Sequence, residues 1–555
     1  MLTLFSFALL ALSIVVPAHA SNRFPIILVH GFTGWGRDEL NGFRYWGGLQ
    51  GDFETKLNDQ GYTVYTAAVG PFSSNWDRAC ELYAVIKGGQ VDYGQKHSTT
   101  YNHFRYGRNY TGLYPQWGTT NSDGSVNKVH LVGHSMGGQT IRMLAQMLAY
   151  GTTGAPTVED RLSHPLFKGG KKWVHSITTI STPNQGTTLS DGFSVIGNSV
   201  KNLAAGLANV MGLVGDSVSL IYDAKMDQWG ISPKKSNESI SLYLDRVFSS
   251  PIFARGFRDI SLWSLSTGGA KEEAAWVTTL SDVYYYSYSN VDTFETLDIL
   301  LRKVSLPNLF TMSLPLRPFG FFLGGRPIFA RGFRDISLWS LSTGGAKEEA
   351  TWVTTLSDVY YYSYSNVDTF ETLDILLRKV SLPNLFTMSL PLRPLGFFLG
   401  GRYTADQLRL PTAWQPNDGV VNTISMANDG IGTSVPFSGI SLPGKWNEMP
   451  QLQRLDHLAI IGVTIRSQVL DLYTGHAALL YALPDRADSS RRLADAPKAA
   501  AQLHAAISNL NAASTSLNTT SDLALLCQNP ANTYQQRYCA NTINLRPHGV
   551  SKIKA

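Results

Sequence analysis

Apolar positions in the first half of the chain fall into short continuous runs separated by longer stretches of helical spacing. Ile26–Val29, Val129–Val132 and Ser176–Ile180 read as strands, and Gln139 to Leu148 reads as a helix directly behind the second of them. Alternation of this kind predicts an α/β class, with a mostly parallel central sheet and helices on both faces. From Phe193 to Val218 apolar residues recur at Ile196, Val200, Leu203, Leu207, Val210, Met211 and Val214, which makes one wide apolar helical face. Such a face belongs either to a core helix or to a lid over an apolar pocket. Beyond about residue 476 the chain becomes rich in Ala, Ser, Asn and Thr, with a helix expected at 499–513.

The regular pattern is interrupted by a direct repeat. Residues 251–326 and 327–402 are 76-residue copies that differ at Ala275 against Thr351 and at Phe319 against Leu395. Architectural repeats are shorter, more numerous and more diverged, so this is a duplication rather than a solenoid. Each copy carries a strand-like aromatic run, 283–289 and 359–365. One sheet position is expected to accept only one of them, leaving the other copy surplus and its edge prone to aggregation.

Composition adds boundaries. With 43% hydrophobic and 16% charged residues over 555 positions, the chain is globular, and a net charge of +5 without a long basic run argues against nucleic-acid binding. The first twenty residues lack charged side chains, carry an apolar run from Leu2 to Val16 and end Pro17-Ala18-His19-Ala20, the pattern of a secretory signal cleaved after Ala20. No later stretch is long and apolar enough to span a bilayer. Export agrees with N-x-S/T sequons at Asn109, Asn237 and Asn518. Of three cysteines, Cys527 and Cys539 are spaced to close a small loop, leaving Cys80 as a buried thiol. The expected division is therefore a signal peptide at 1–20, a main domain at 21–475 and an extension at 476–555.

Candidate chemistry centres on Gly133-His134-Ser135-Met136-Gly137, which follows a strand and opens a helix. Glycines on both sides of the serine permit a sharp turn that pushes its hydroxyl into the open, the nucleophile elbow of α/β-hydrolase folds. A serine needs a histidine base, itself oriented by a carboxylate, and in that fold the acid and then the histidine follow the serine in the chain. His457 lies between apolar residues at a core rim, whereas His476, His504 and His548 fall in or near the extension. For the acid, two N-D-G turns compete, at Asp418 and Asp429; the apolar alternation after Asp418 favours it. Two backbone N–H groups are needed for the oxyanion, one from Met136 and one from Phe32 in the His30-Gly31-Phe32 loop behind the first strand.

Longer blocks now join these pieces. His30 to Trp35, Tyr45-Trp46-Gly47-Gly48, Gly70 to Cys80, Asp227-Gln228-Trp229-Gly230 and Asn417 to Met426 resemble, in order, the zinc-containing thermoalkalophilic lipases. The resemblance runs from about residue 23 to 463 and implies an α/β-hydrolase fold with a helical lid and a zinc-binding insertion. It implies a Ser135, Asp418, His457 triad and structural zinc on Asp77, His97, His103 and Asp227. Without it, His97 and His103 read as solvent-facing loop histidines. The calcium site that the resemblance would imply does not carry over well, because Ala459 and Thr464-Ile465 stand where that family places oxygen ligands. The implied activity is secreted triacylglycerol hydrolysis at an oil-water interface. The alternatives are a carboxylesterase for short soluble esters, or an inactive secreted protein disabled by the duplication.

Overall fold

A computed structural model describes residues 22–188, 221–253, 258–280 and 283–288, the short segments 296–297 and 302–304, 361–483 with short breaks, and 495–515. The signal segment, the amphipathic stretch 193–218, Asp429, Cys527, Cys539, Asn518, His548 and Thr464-Ile465 lie outside the described residues.

Fourteen strands are named in chain order: β1 Ile26–Val29, β2 Val64–Ala67, β3 Gly89–Asp92, β4 Tyr106–Tyr110, β5 Val129–His134, β6 Val174–Ile180, β7 Tyr284–Tyr288, β8 Thr296–Leu297, β9 Arg302–Val304, β10 Tyr361–Tyr364, β11 Thr369–Ile375, β12 Lys379–Pro383, β13 Ser434–Pro436 and β14 Trp446–Met449. Eight of them form a parallel sheet in the order β13-β14-β10-β7-β6-β5-β1-β2. Ile26 and Leu28 point into a core with Trp46, Phe53 and Leu480, while Ile27 and Val29 enter the opposite core with Ala79, Ile86 and Ile141. Burial on both faces explains why β1 reads as an unbroken apolar run. Helices α1 (Phe53–Asp59), α2 (Asn75–Lys87) and α4 (Met136–Tyr150) cover these faces.

The chain passes from β1 outward to β2, then returns to β5 on the other side of β1, where Val29 lies opposite Gly133. Strand order therefore reverses between β1 and β5. The loops leaving their carboxyl ends border one crevice, the usual ligand position in an open α/β sheet.

The duplicated strands do not compete for one position. β7 and β10 lie side by side with Tyr285 opposite Tyr361, its equivalent 76 residues later, and β14 contacts both. Two identical strands have the same alternation, so parallel pairing in register places their matching faces together. A second sheet, β12-β11-β9-β8, likewise draws β8 and β9 from the first copy and β11 and β12 from the second.

The boundary expected at residue 475 falls inside the helix Val469–Ala482. The following helix, Asp495–Thr515, packs Leu503, Ile507 and Leu510 into the core containing Leu472 and Leu480. The helix expected at 499–513 is present with wider bounds and is packed on that core, so the folded unit extends past the expected extension boundary.

Candidate active site and metal cage

Ser135 sits between β5 and α4 with φ 54° and ψ −130°, a conformation that costs a non-glycine residue on the order of 1–3 kcal/mol. The bend is held because its neighbours are in close contact. A Cβ on Gly137 would lie 2.3 Å from the Val29 carbonyl oxygen, and one on Gly31 would lie 2.6 Å from Ser135 Cβ. The loop after β1 is thus pressed against the serine. Met136 opens α4, so its N–H has no acceptor within the helix. The Phe32 N–H has no acceptor among the described residues either.

The acid and base arrive from distant sequence. Asp418 Oδ2 accepts from His457 Nδ1 at 2.7 Å, while Oδ1 accepts the Val420 and Val421 amides at 3.0 and 2.8 Å. Asp418 is fully buried, and burial pushes its carboxyl above the ordinary range against the opposing pull of His457 and the two amides. Those bonds leave His457 Nε2 as the ring nitrogen free to exchange a proton. His476 instead meets Thr178 Oγ1 at 2.7 Å in the core, and His504 stacks on Phe437 at a centroid distance of 5.3 Å. Asp418 lies in a tight turn before the helix Thr423–Ala427, so the apolar alternation that favoured it marks buried turn residues rather than a strand.

Several positioning contacts carried no sequence signal. Asp456 Oδ1 accepts the Leu458 and Ala459 amides at 2.9 and 2.7 Å, and its Oδ2 takes the Ser389 amide at 2.6 Å, fixing the turn that presents His457. His134 Nε2 donates to the His457 carbonyl at 3.0 Å, which makes Nδ1 the acceptor for Tyr45 Oη at 2.6 Å. Tyr45 Oη in turn accepts the Gly31 N–H at 2.9 Å. Burial holds the His134 imidazole well below its usual pKa, and this neutral tautomer suits both bonds.

A second cluster lies at the end of the β3–β4 hairpin. His97 is on α3 (Gln95–Tyr101), which ends at Asn102 with φ 57°, and that left-handed residue turns His103 back toward the same point. Asp77, in the first turn of α2, faces both. The fourth member is Asp259, not Asp227. His97 Nε2 is 3.2 Å from Asp77 Oδ1 and 3.1 Å from Asp259 Oδ1, and His103 Nε2 is 3.2 Å from Asp259 Oδ2. These four residues could hold a metal ion. Asp227 pairs instead with Arg108, Nε to Oδ2 at 2.5 Å, on a partly exposed surface, while Gln228 of the same segment reaches Asp77 at 3.0 Å. The expected acid is thus drawn away by a guanidinium, and its neighbour supports the cage. Asp259 lies in the first repeat copy, outside every motif block that carries the resemblance, and has no local sequence signal of its own.

The cage also fits a cation by what it lacks. Asp77 Oδ1, His97 Nε2, His103 Nε2 and both Asp259 oxygens are buried without hydrogen-bond partners. Two nitrogen and two oxygen donors at these spacings suit a tetrahedral ion with bonds of about 2.0 Å. The histidines are thus buried donors rather than solvent-facing loop residues. Cys80, nearby on α2, is a buried free thiol, raised well above its usual pKa by burial.

Comparisons with known proteins agree with this architecture. A lipase of Staphylococcus epidermidis is 39% identical over 287 residues, which are 50% of this chain and 39% of that protein. The chain spans about two fifths of the length of its staphylococcal relatives. The solved structure of lipase 1 from Pelosinus fermentans has a TM-score of 0.61 and 41% identity, covering 84% of this chain and 100% of that one. EstA from Clostridium botulinum has a TM-score of 0.61 at 36% identity, covering 83% and 88%. Residues 22–320, more than half of the chain, match the family described as lipase-like, C-terminal domain. The elbow, its partners and the parallel sheet that carries them therefore belong to a member of the lipase-like family.

Proposed function

We propose that the chain is a secreted lipase that hydrolyses carboxylic ester bonds of triacylglycerols through an acyl-enzyme. The observation that carries this reading is the 2.7 Å bond between His457 Nδ1 and Asp418 Oδ2, with the His457 carbonyl bonded to His134, the residue before the serine of a strained elbow. Ser135 Oγ attacks the ester carbonyl while His457 Nε2 takes its proton, and Asp418 stabilises the imidazolium. The Phe32 and Met136 amides receive the oxyanion. Collapse of the tetrahedral intermediate releases the alcohol, protonated by His457, and water then frees the fatty acid by the same steps.

Asp77, His97, His103 and Asp259 would hold zinc, whose chemistry is that of a structural cross-link between α2, α3 and the segment at 259. Names of similar proteins and the resemblance of the motif blocks support lipid esters as substrates. Rates on tributyrin below and above its solubility limit test this. A jump at saturation is expected; its absence favours short soluble esters. Folded protein that takes no serine-directed phosphonate on Ser135 overturns the hydrolase reading altogether.

A further inference from the structure

Helix α2 carries a fully buried cation that no part of this mechanism uses. Arg78 has no exposed surface, and among the described residues it forms no ion pair. Its guanidinium donates Nη2 to the His30 carbonyl at 2.6 Å, Nη1 to the Gly70 carbonyl at 2.7 Å and Nε to Thr140 Oγ1 at 2.8 Å. Glu81, which accepts the Gly70 N–H, attracts the guanidinium through space, but every hydrogen bond Arg78 makes goes to a neutral acceptor, an arrangement costly to desolvate that calls for a reason beyond packing.

The three acceptors belong to the three segments that must be aligned for an oxyanion hole. His30 is the residue from which the Gly31-Phe32 loop hangs. Thr140 lies on α4, one turn from the Met136 amide, and its hydroxyl also donates to the Met136 carbonyl at 3.0 Å. Gly70 begins the segment on which the loop rests, where the Thr33 N–H meets the Pro71 carbonyl at 3.2 Å and the Val69 N–H meets His30 Nε2 at 3.1 Å. A planar fork can hold several carbonyl directions at once, which a lysine cannot.

We propose that Arg78 is a positioning residue of the oxyanion hole, fixing the Phe32 amide relative to the Met136 amide by joining the His30 carbonyl, Thr140 and Gly70. This rests on the serine-hydrolase reading above. Its effect belongs to the transition state, because the amides are aimed at an oxygen that becomes charged only during reaction.

Steady-state kinetics and phosphonate labelling of Arg78→Met and Arg78→Lys test it, with circular dichroism and thermal unfolding recorded for each. Labelling and turnover by the unsubstituted protein come first; if both are absent, the hydrolase reading fails before Arg78 is tested. Given activity, Arg78→Met should lower kcat and the labelling rate about 10²-fold with KM within about twofold. Arg78→Lys should recover only part of the loss, since it restores charge without the fork. Folded Arg78→Lys with unchanged kcat, or losses confined to KM, would overturn the proposal. If Arg78→Met does not fold, the kcat-against-KM split of Arg78→Lys still decides.

Discussion

Around Asp418 both carboxylate oxygens are satisfied, one by two amides and the other by His457. In the cage, Asp259 is equally buried, yet neither of its oxygens has a hydrogen-bond partner, and the facing nitrogens of His97 and His103 have none. The difference matches the task proposed for each site. A proton-transfer site works through hydrogen bonds and must complete them in advance, whereas a cation site must keep its donors free for the ion. The two sites nevertheless share one turn of α2, where Asp77 faces the cage and the next residue, Arg78, holds the loop of the other.

Substitutions separate the two behaviours. Ser135→Ala should lower kcat by on the order of 10⁵-fold or more, with bound metal and unfolding temperature unchanged. Asp418→Asn should cost about 10⁴-fold, because a neutral amide no longer selects the histidine tautomer that exposes Nε2. Both are measured by initial rates on a soluble ester. Asp259→Asn should show the reverse pattern: loss of bound metal in elemental analysis and about 3 kcal/mol or more of stability in denaturant unfolding. Retention of a full metal equivalent in that variant would remove Asp259 from the cage.

A third region sharpens the contrast, since burial rather than its hydrogen bonds keeps its imidazole neutral. His130 is buried between Ser176 Oγ and Asn22 Oδ1, at 2.6 and 2.7 Å, and burial lowers it to about 3. The folded state then binds fewer protons than the unfolded state between about pH 6.5 and 3, so stability falls as pH drops through that window. Unfolding at pH 4.5 and pH 7 should show a smaller difference in His130→Gln than in the unsubstituted chain. Asp227→Asn is the smallest of the point effects. It removes a partly exposed pair with Arg108, costs under about 1 kcal/mol and leaves metal content unchanged.

The repeat provides a last test, with no expected loss. First-copy residues up to 288 back the cage: the Ser261 N–H meets the Phe72 carbonyl at 2.8 Å, and Trp276 approaches Trp76 at 5.8 Å between centroids. Second-copy residues back the acid and base, through Ser389 on Asp456 and the Gly396 carbonyl on Asn417. Removing the 76 residues 289–364 joins Tyr288 to Ser365 in the reading of a single copy. That deletion should keep both metal content and ester hydrolysis, and loss of either would mean the second set of strands is needed.

Much of this was legible in the chain. β1 is predicted residue for residue, and the helix behind Ser135 differs only at its ends, because local patterns of burial and turn residues are written along consecutive positions. The choice of Asp418 rested on pattern and resemblance, and the bond to His457 places these two side chains together. Asp227 was misplaced because motif position says nothing about which neighbour competes for a carboxylate. Arg108 is 119 residues away in sequence and holds it at the surface.

By itself the sequence determined the parallel sheet, the elbow serine and the types of side chain available to it, since these depend on local periodicity and backbone geometry. Only the tertiary structure decided that Asp259 completes the cage, that both repeat strands enter one sheet, and that a buried arginine stands beneath the oxyanion loop. Those outcomes depend on which distant segments meet at one point in space, where burial makes every unpaired donor or acceptor costly.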